Sequence, residues 1–159
     1  MKKAFKVLGI GLLVVLAVLQ VWRPEKNVSA QTPPSDIVTA YAVPANVADV
    51  LHRACYDCHS NNTHYPWYSN VQPVGIWLAD HIEEGKDELN FSEFGNYKTR
   101  RKLKKLKEIV EEVEEGAMPL SSYTWIHKEA VLSPADKQLV IEWAKGLAQK
   151  ISLEPGAQE

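Results

Sequence analysis

Hydrophobic positions along the chain fall into one nearly unbroken run followed by a series of helix-period stripes. The run covers residues 7–22, broken only by Gly9, Gly11 and Gln20, and stands behind Lys2, Lys3 and Lys6. Its 16 residues would make about 24 Å of helix, against about 30 Å of bilayer hydrocarbon. With Ala4 and Phe5 added and Lys6 snorkelling, the segment predicts an N-terminal membrane helix with its lysines on the cytoplasmic side. A cleaved signal segment is the alternative, with small residues near Ala30. Residues 1–22 are therefore read as a signal or transmembrane segment. Residues 23–44, with Pro24, Pro33, Pro34 and Pro44, are read as a tether. The working domain is expected over 45–150, with a flexible tail over 151–159.

Within the domain, four stretches carry a helical period. Asn46 is placed to cap a helix over 47–54, with Val47, Val50 and Leu51 on one face. A second helix is expected over 74–84, stopped by Gly85. The third, over 97–115, is the clearest: Leu103, Leu106, Val110 and Val113 recur at helical spacing, and Gly116 ends it. Its early half is basic and its late half acidic, an order that opposes the helix dipole. The last begins at Ser133, with Pro134 at the first helical position and Asp136 three residues after the cap. Its stripe is Val140, Trp143, Ala144 and Leu147, expected to pack on the 47–54 helix. No segment alternates at period two. The pattern predicts an all-α domain with long loops, and such loops in a short chain need something large to wrap.

Composition narrows the function classes. A chain of 159 residues, 45% apolar and 24% charged, is one ordinary globular domain. A net charge of −2 makes no case for a nucleic-acid partner. The first 30 residues hold five bases and one acid, the rest thirteen bases and nineteen acids. Two cysteines exclude a disulfide-dense scaffold and a four-cysteine zinc site.

Those two cysteines stand in Cys55-Tyr56-Asp57-Cys58-His59, the C-x-x-C-H pattern of covalent haem attachment. Two thiols about one helical turn apart can each add to a vinyl group of one porphyrin, and the next imidazole then lies beneath the iron. Three other readings use the same residues. A disulfide would close a tiny loop and constrain little. A thioredoxin-like pair expects a strand before the motif, where a helix is expected here. A zinc site would draw on Cys55, Cys58 and two of His52, His59, His64 and His81. A low-spin haem needs a second axial ligand, and Met118, between Gly116-Ala117 and Pro119, is the candidate. His81, His127 and His64 are its rivals. The other nitrogen of His59 needs an acceptor, for which the carbonyls of Pro73 and Pro66 are candidates. Trp67, Trp77, Tyr65, Tyr68, Tyr123 and Trp125 are candidates to wall the cofactor.

The motif, its aromatic loop Asn61-Asn62-Thr63-His64-Tyr65-Pro66-Trp67-Tyr68, and the segments Gln72-Pro73-Val74-Gly75, His81-Ile82, Glu84-Gly85-Lys86, Leu89-Asn90-Phe91-Ser92 and Met118-Pro119-Leu120 together resemble the bacterial haem-binding domain family of cytochrome c-like proteins. The resemblance spans about residues 47–143. It implies a small cytochrome c-like helical fold around one covalent haem c per chain. Cys55 and Cys58 would be its thioether sites, His59 the proximal ligand and Met118 the distal one. It further implies export, with the domain at the periplasmic face of the cytoplasmic membrane, or soluble in the periplasm after cleavage near Ala30. The expected role is single-electron transfer to redox partner proteins of a respiratory or periplasmic chain, not enzymatic turnover. A haem peroxidase or haem-based sensor with a displaceable sixth ligand is the alternative.

Overall fold

The computed structural model describes residues 2–154. Among them the chain is helical throughout, and its one extended pairing is an antiparallel bridge between Val28 and Asn62. The first helix, α1 (Lys2–Leu19), buries none of its residues. It stops short of Trp22, the chain continuing in tighter turns over Gln20, Val21 and Trp22. The Gln20 side-chain amide donates to the Gln72 carbonyl (3.0 Å), and its Oε1 accepts from the Gln72 N–H (3.0 Å). Its 18 residues measure about 27 Å and include three lysines. No helix among the described residues is long and apolar enough to cross a membrane. The expected membrane helix is not supported: α1 takes in only residues 7–19 of the apolar run, behind three lysines.

Residues 20–36, the end of the expected signal or membrane segment and the first part of the expected 23–44 tether, lie as a strap along the domain. The Arg23 guanidinium donates to the Asn70 carbonyl. Asn27 is the central fastening. Its backbone N–H donates to the Tyr65 hydroxyl (2.7 Å), and its side-chain amide donates to the Ser60 carbonyl (2.8 Å) and Thr63 Oγ1 (2.9 Å). Its Oδ1 accepts from Lys86 Nζ (2.6 Å). The strap ends at Asp36, which caps α2 (Ile37–Ala40) and accepts the Tyr56 hydroxyl proton at 2.8 Å. Asp36 and Ile37 are both buried.

Helix α3 (Ala45–Ala54) buries Val47, Val50, Leu51 and Ala54, as its stripe requires. It starts from Pro44, whose carbonyl accepts the Ala48 N–H (2.9 Å), and not from Asn46, which is exposed. The chain kinks at Cys55 into the single turn α4 (Tyr56–His59). A 3-10 turn at Trp67–Asn70 leads into α5 (Val74–Glu88), which runs straight through Gly85. After a 3-10 turn at Phe91–Asn96 comes α6 (Thr99–Glu115). Its unfavourable charge order is offset by pairs one turn apart, Lys104–Glu108 (3.3 Å) and Lys107–Glu111 (3.2 Å). Gly116 ends it in the left-handed region, at φ 72°.

The short α7 (Ser121–Thr124) and a 3-10 turn at Lys128–Ala130 precede α8 (Pro134–Ser152). The Ser133–Asp136 capping box forms as predicted. Helix α8 packs chiefly on α6 and only secondarily on α3, so the expected α3 partner is the minor one. The helix continues past residue 150 because Ile151 is buried; residues 155–159 of the expected tail lie outside the described residues. One core joins α2, α3, α4, α6, α8 and the Phe91–Asn96 turn, with Leu51, Phe91, Phe94 and Leu106 at its centre.

Candidate cofactor site

The site starts where α3 ends. Cys55 leaves helical geometry, at φ −126° and ψ −39°, and its carbonyl accepts the N–H groups of Cys58 (3.2 Å) and His59 (3.0 Å). Cys55, Cys58 and His59 thus share one turn. Both cysteines are free thiols. Burial pushes the Cys55 thiol up to about 12 and the Cys58 thiol up to about 11, so both stay protonated near neutral pH. Among the described residues no three His, Cys, Asp or Glu side chains converge on a metal-sized site, which leaves the zinc reading without a ligand set.

His59 Nδ1 lies 2.8 Å from the Gly85 carbonyl and 3.0 Å from the Leu89 carbonyl. Carbonyls only accept, so Nδ1 carries the proton and Nε2 keeps its lone pair. The two prolines proposed as acceptors are not used: Pro73 and Pro66 carbonyls accept from Trp77 and Ser69 instead. The acceptors come from the end of α5, where the Gly85 carbonyl is shared with the Leu89 N–H (2.9 Å). Burial holds the His59 imidazole below its ordinary value, its carbonyl bonds oppose that, and the Lys105 charge lowers it further while Glu88 raises it.

Gly85 sets this geometry. A Cβ there would come within 2.8 Å of the Cys58 carbonyl oxygen and 3.2 Å of Cys58 Cβ. Its role is close approach of α5 to the α4 turn, where the sequence suggested a helix stop.

Two adjoining cavities open beside the turn, both lined by Cys55, His59, Met118 and Pro119. The larger, about 510 Å³, is walled by apolar side chains including Leu51, Phe91, Ile109 and Val140. The smaller, about 360 Å³, adds Cys58, His81 and Tyr123. The structure therefore brings all four candidate residues to one place. Met118 is held there by the end of α6: the Ala117 and Met118 N–H groups both donate to the Glu112 carbonyl, at 3.0 and 3.1 Å.

Of the other candidates, His81 and Tyr123 stay beside the smaller cavity and the rest lie away from it. His81 lines the smaller cavity and turns Nδ1 to the Trp77 carbonyl at 3.0 Å. His127 has both ring nitrogens engaged, with the Tyr68 hydroxyl (2.6 Å) and Glu129 (3.2 Å). His64 is exposed. Of the six aromatic candidates, Tyr123 reaches a cavity wall, whereas Trp67 and Trp125 stand 79% and 76% exposed.

Sequence reasoning missed two groups. Asp57, between the cysteines, accepts the Tyr123 hydroxyl proton (2.7 Å) and the His64 N–H (2.9 Å), tying the turn to the methionine-bearing loop. Nothing in its sequence position signals this. Lys105 is buried on the wall of the larger cavity. It stands four residues before Ile109 and eight before Val113, a charged residue in an apolar stripe, and that signal was readable.

A family model described as a haem-binding domain matches residues 14–146. That match reaches well upstream of residue 47 and takes in the strap. No curated protein and no solved structure matches the chain.

Proposed function

Since the chain belongs to the haem-binding domain family, with haem as its cofactor, we propose that it is an exported c-type cytochrome carrying single electrons, with His59 and Met118 as axial ligands. The observation that carries this reading is His59: its proton is committed to two carbonyls, and its free nitrogen belongs to a ring that lines two cavities with Cys55 and the Met118 thioether, the smaller of them also lined by Cys58.

The residues present fit haem. A cavity of about 510 Å³ lies within the range of about 300–1,000 Å³ usual for cofactor sites. Its exposed lining is mostly apolar, with Lys105 and four glutamates at its wall, and its donors are a neutral imidazole and a soft sulfur; Cys55 lines it, and Cys58 lines the adjoining smaller cavity. When bound, haem supplies one-electron chemistry through its ferric and ferrous states.

Each side chain then has a task. Cys55 and Cys58 would hold the haem by adding their S–H bonds across its vinyl groups, sulfur to one carbon and hydrogen to the next, which needs no oxidant. His59 Nε2, oriented by Gly85 and Leu89, and the Met118 sulfur would hold the iron, the thioether favouring the ferrous state relative to a second imidazole. Leu51, Phe91 and Ile109 would keep water from the ring.

Export rests on the lysine-headed apolar helix and on the covalent attachment proposed here. The acidic domain suits a redox partner with a basic patch, not a nucleic acid. A peroxidase would need a distal acid–base group. His127, with both nitrogens engaged, and the exposed His64 supply that role less well than Met118 supplies a ligand.

Optical spectroscopy tests the reading. The reduced protein should be low-spin and unaltered by carbon monoxide, and Met118→Ala should bind carbon monoxide rapidly. Rapid binding by the unsubstituted protein would favour an enzyme or sensor, and an unchanged Met118→Ala spectrum would remove Met118 from its role.

A further inference from the structure

Lys105 occupies an unusual position. It is 6% exposed, on the face of α6 that also presents Leu106, Ile109 and Val113 inward, and among the described residues it is the one lysine or arginine lining either cavity. A buried ammonium must be compensated. Lys105 Nζ reaches Glu88 Oε2 at 3.0 Å and Glu108 Oε2 at 2.7 Å. One cation thus holds two carboxylates, one more than charge balance needs. They are not equivalent: the Glu88 side chain is 80% exposed and that of Glu108 34%. Glu88, already largely in water, can leave while Glu108 continues to compensate the buried ammonium.

The orientation of the ring follows from its own chemistry. Haem carries its vinyl groups and its two propionates on different edges. If the vinyl edge were held at α4 by Cys55 and Cys58, the propionates would point away from α4; the larger cavity extends from Cys55 to Lys105 and Glu108 on α6. The same wall carries Glu88, Glu108, Glu111 and Glu112, so a further carboxylate entering there needs a cation, and Lys105 is the one lysine or arginine lining it. Resting on the haem reading above, we propose that Lys105 is the propionate-binding residue of this site and exchanges Glu88 for a haem propionate. Lys105 is a positioning residue in this role. It neutralises a propionate that otherwise opposes reduction of the iron, and its carbon chain closes the cavity wall.

Spectroelectrochemical titration of the mature protein tests this, with thermal unfolding measured alongside. Lys105→Met should lower the equilibrium constant for reduction about tenfold, equivalent to about 59 mV for one electron, and Lys105→Arg should restore most of it. Glu88→Gln should leave the constant within about twofold of the unsubstituted value, since the carboxylate has already left. The proposal is overturned if Lys105→Met changes stability but not the reduction equilibrium. It is equally overturned if Glu88→Gln shifts that equilibrium several-fold, for then the lysine still holds Glu88. The second variant decides the matter even if Lys105→Met does not mature. Absence of haem from the unsubstituted protein, seen before any variant is made, would remove the haem reading and this one with it.

Discussion

An imidazole that holds iron must keep one nitrogen free and its ring fixed, and in this protein both conditions trace to a glycine. Gly85 lets the end of α5 approach the Cys58 carbonyl, which brings the Gly85 and Leu89 carbonyls to His59 Nδ1. In an isolated helix, Gly to Ala gains about 1 kcal/mol. Here the added carbon would meet the Cys58 oxygen at 2.8 Å, and overpacking of that kind costs about 1–3 kcal/mol. The clash outweighs propensity, so Gly85→Ala should lower the thermal midpoint and reduce the fraction of protein that carries haem. A more stable variant with full haem content would show that the close approach does not matter.

At the scale of elements, the strap and the last helix each depend on one polar residue. Asn27 binds the Ser60 carbonyl, Thr63 and Lys86 at once. Asn27→Ala leaves those groups to water or to nothing, and should destabilise by about 1–3 kcal/mol. Proteolysis within residues 20–36 should quicken by the same measure; an unchanged rate would mean that the strap is not docked in solution.

Asp136 closes the start of α8, bonded to Ser133 and then to Arg53 (2.7 Å), and these partners hold its carboxyl down at about 2. Its folded-state value lies below the unfolded one, so the stability it adds is present above about pH 4 and is lost as pH falls toward 2. Asp136→Asn should flatten the acid limb of the stability–pH curve between those values. An unaltered limb would contradict the assignment.

These elements also show what the sequence made legible. The α6 stripe, the Gly116 stop and the Ser133 box are local patterns, read from spacing and capping chemistry, and they formed as expected. The strap could not be read that way. Its fastenings join residues more than 30 positions apart, Asn27 to Ser60 and Lys86, and a proline-rich composition looks the same docked or free. The acceptors for His59 were hidden for the same reason. Gly85 is a helix stop by local rules, and only the packing of α5 on α4 makes it a contact point. The C-x-x-C-H turn and Met118 were legible because their chemistry is in the residue types, although their convergence on shared cavities is a property of the fold.

For the whole molecule, one all-α domain wraps two adjoining cavities whose apolar walls, two thiols, oriented imidazole and thioether meet at one turn. The family assigns haem to it, and the proposed role as an electron carrier depends on that haem being fixed through sulfur. Intact mass of the exported, mature protein after denaturation and acid–acetone extraction measures this directly. The account predicts a polypeptide that stays coloured and is heavier by one haem, with Cys55 and Cys58 unreactive toward thiol reagents. A colourless chain of unmodified mass with two titratable thiols would contradict it.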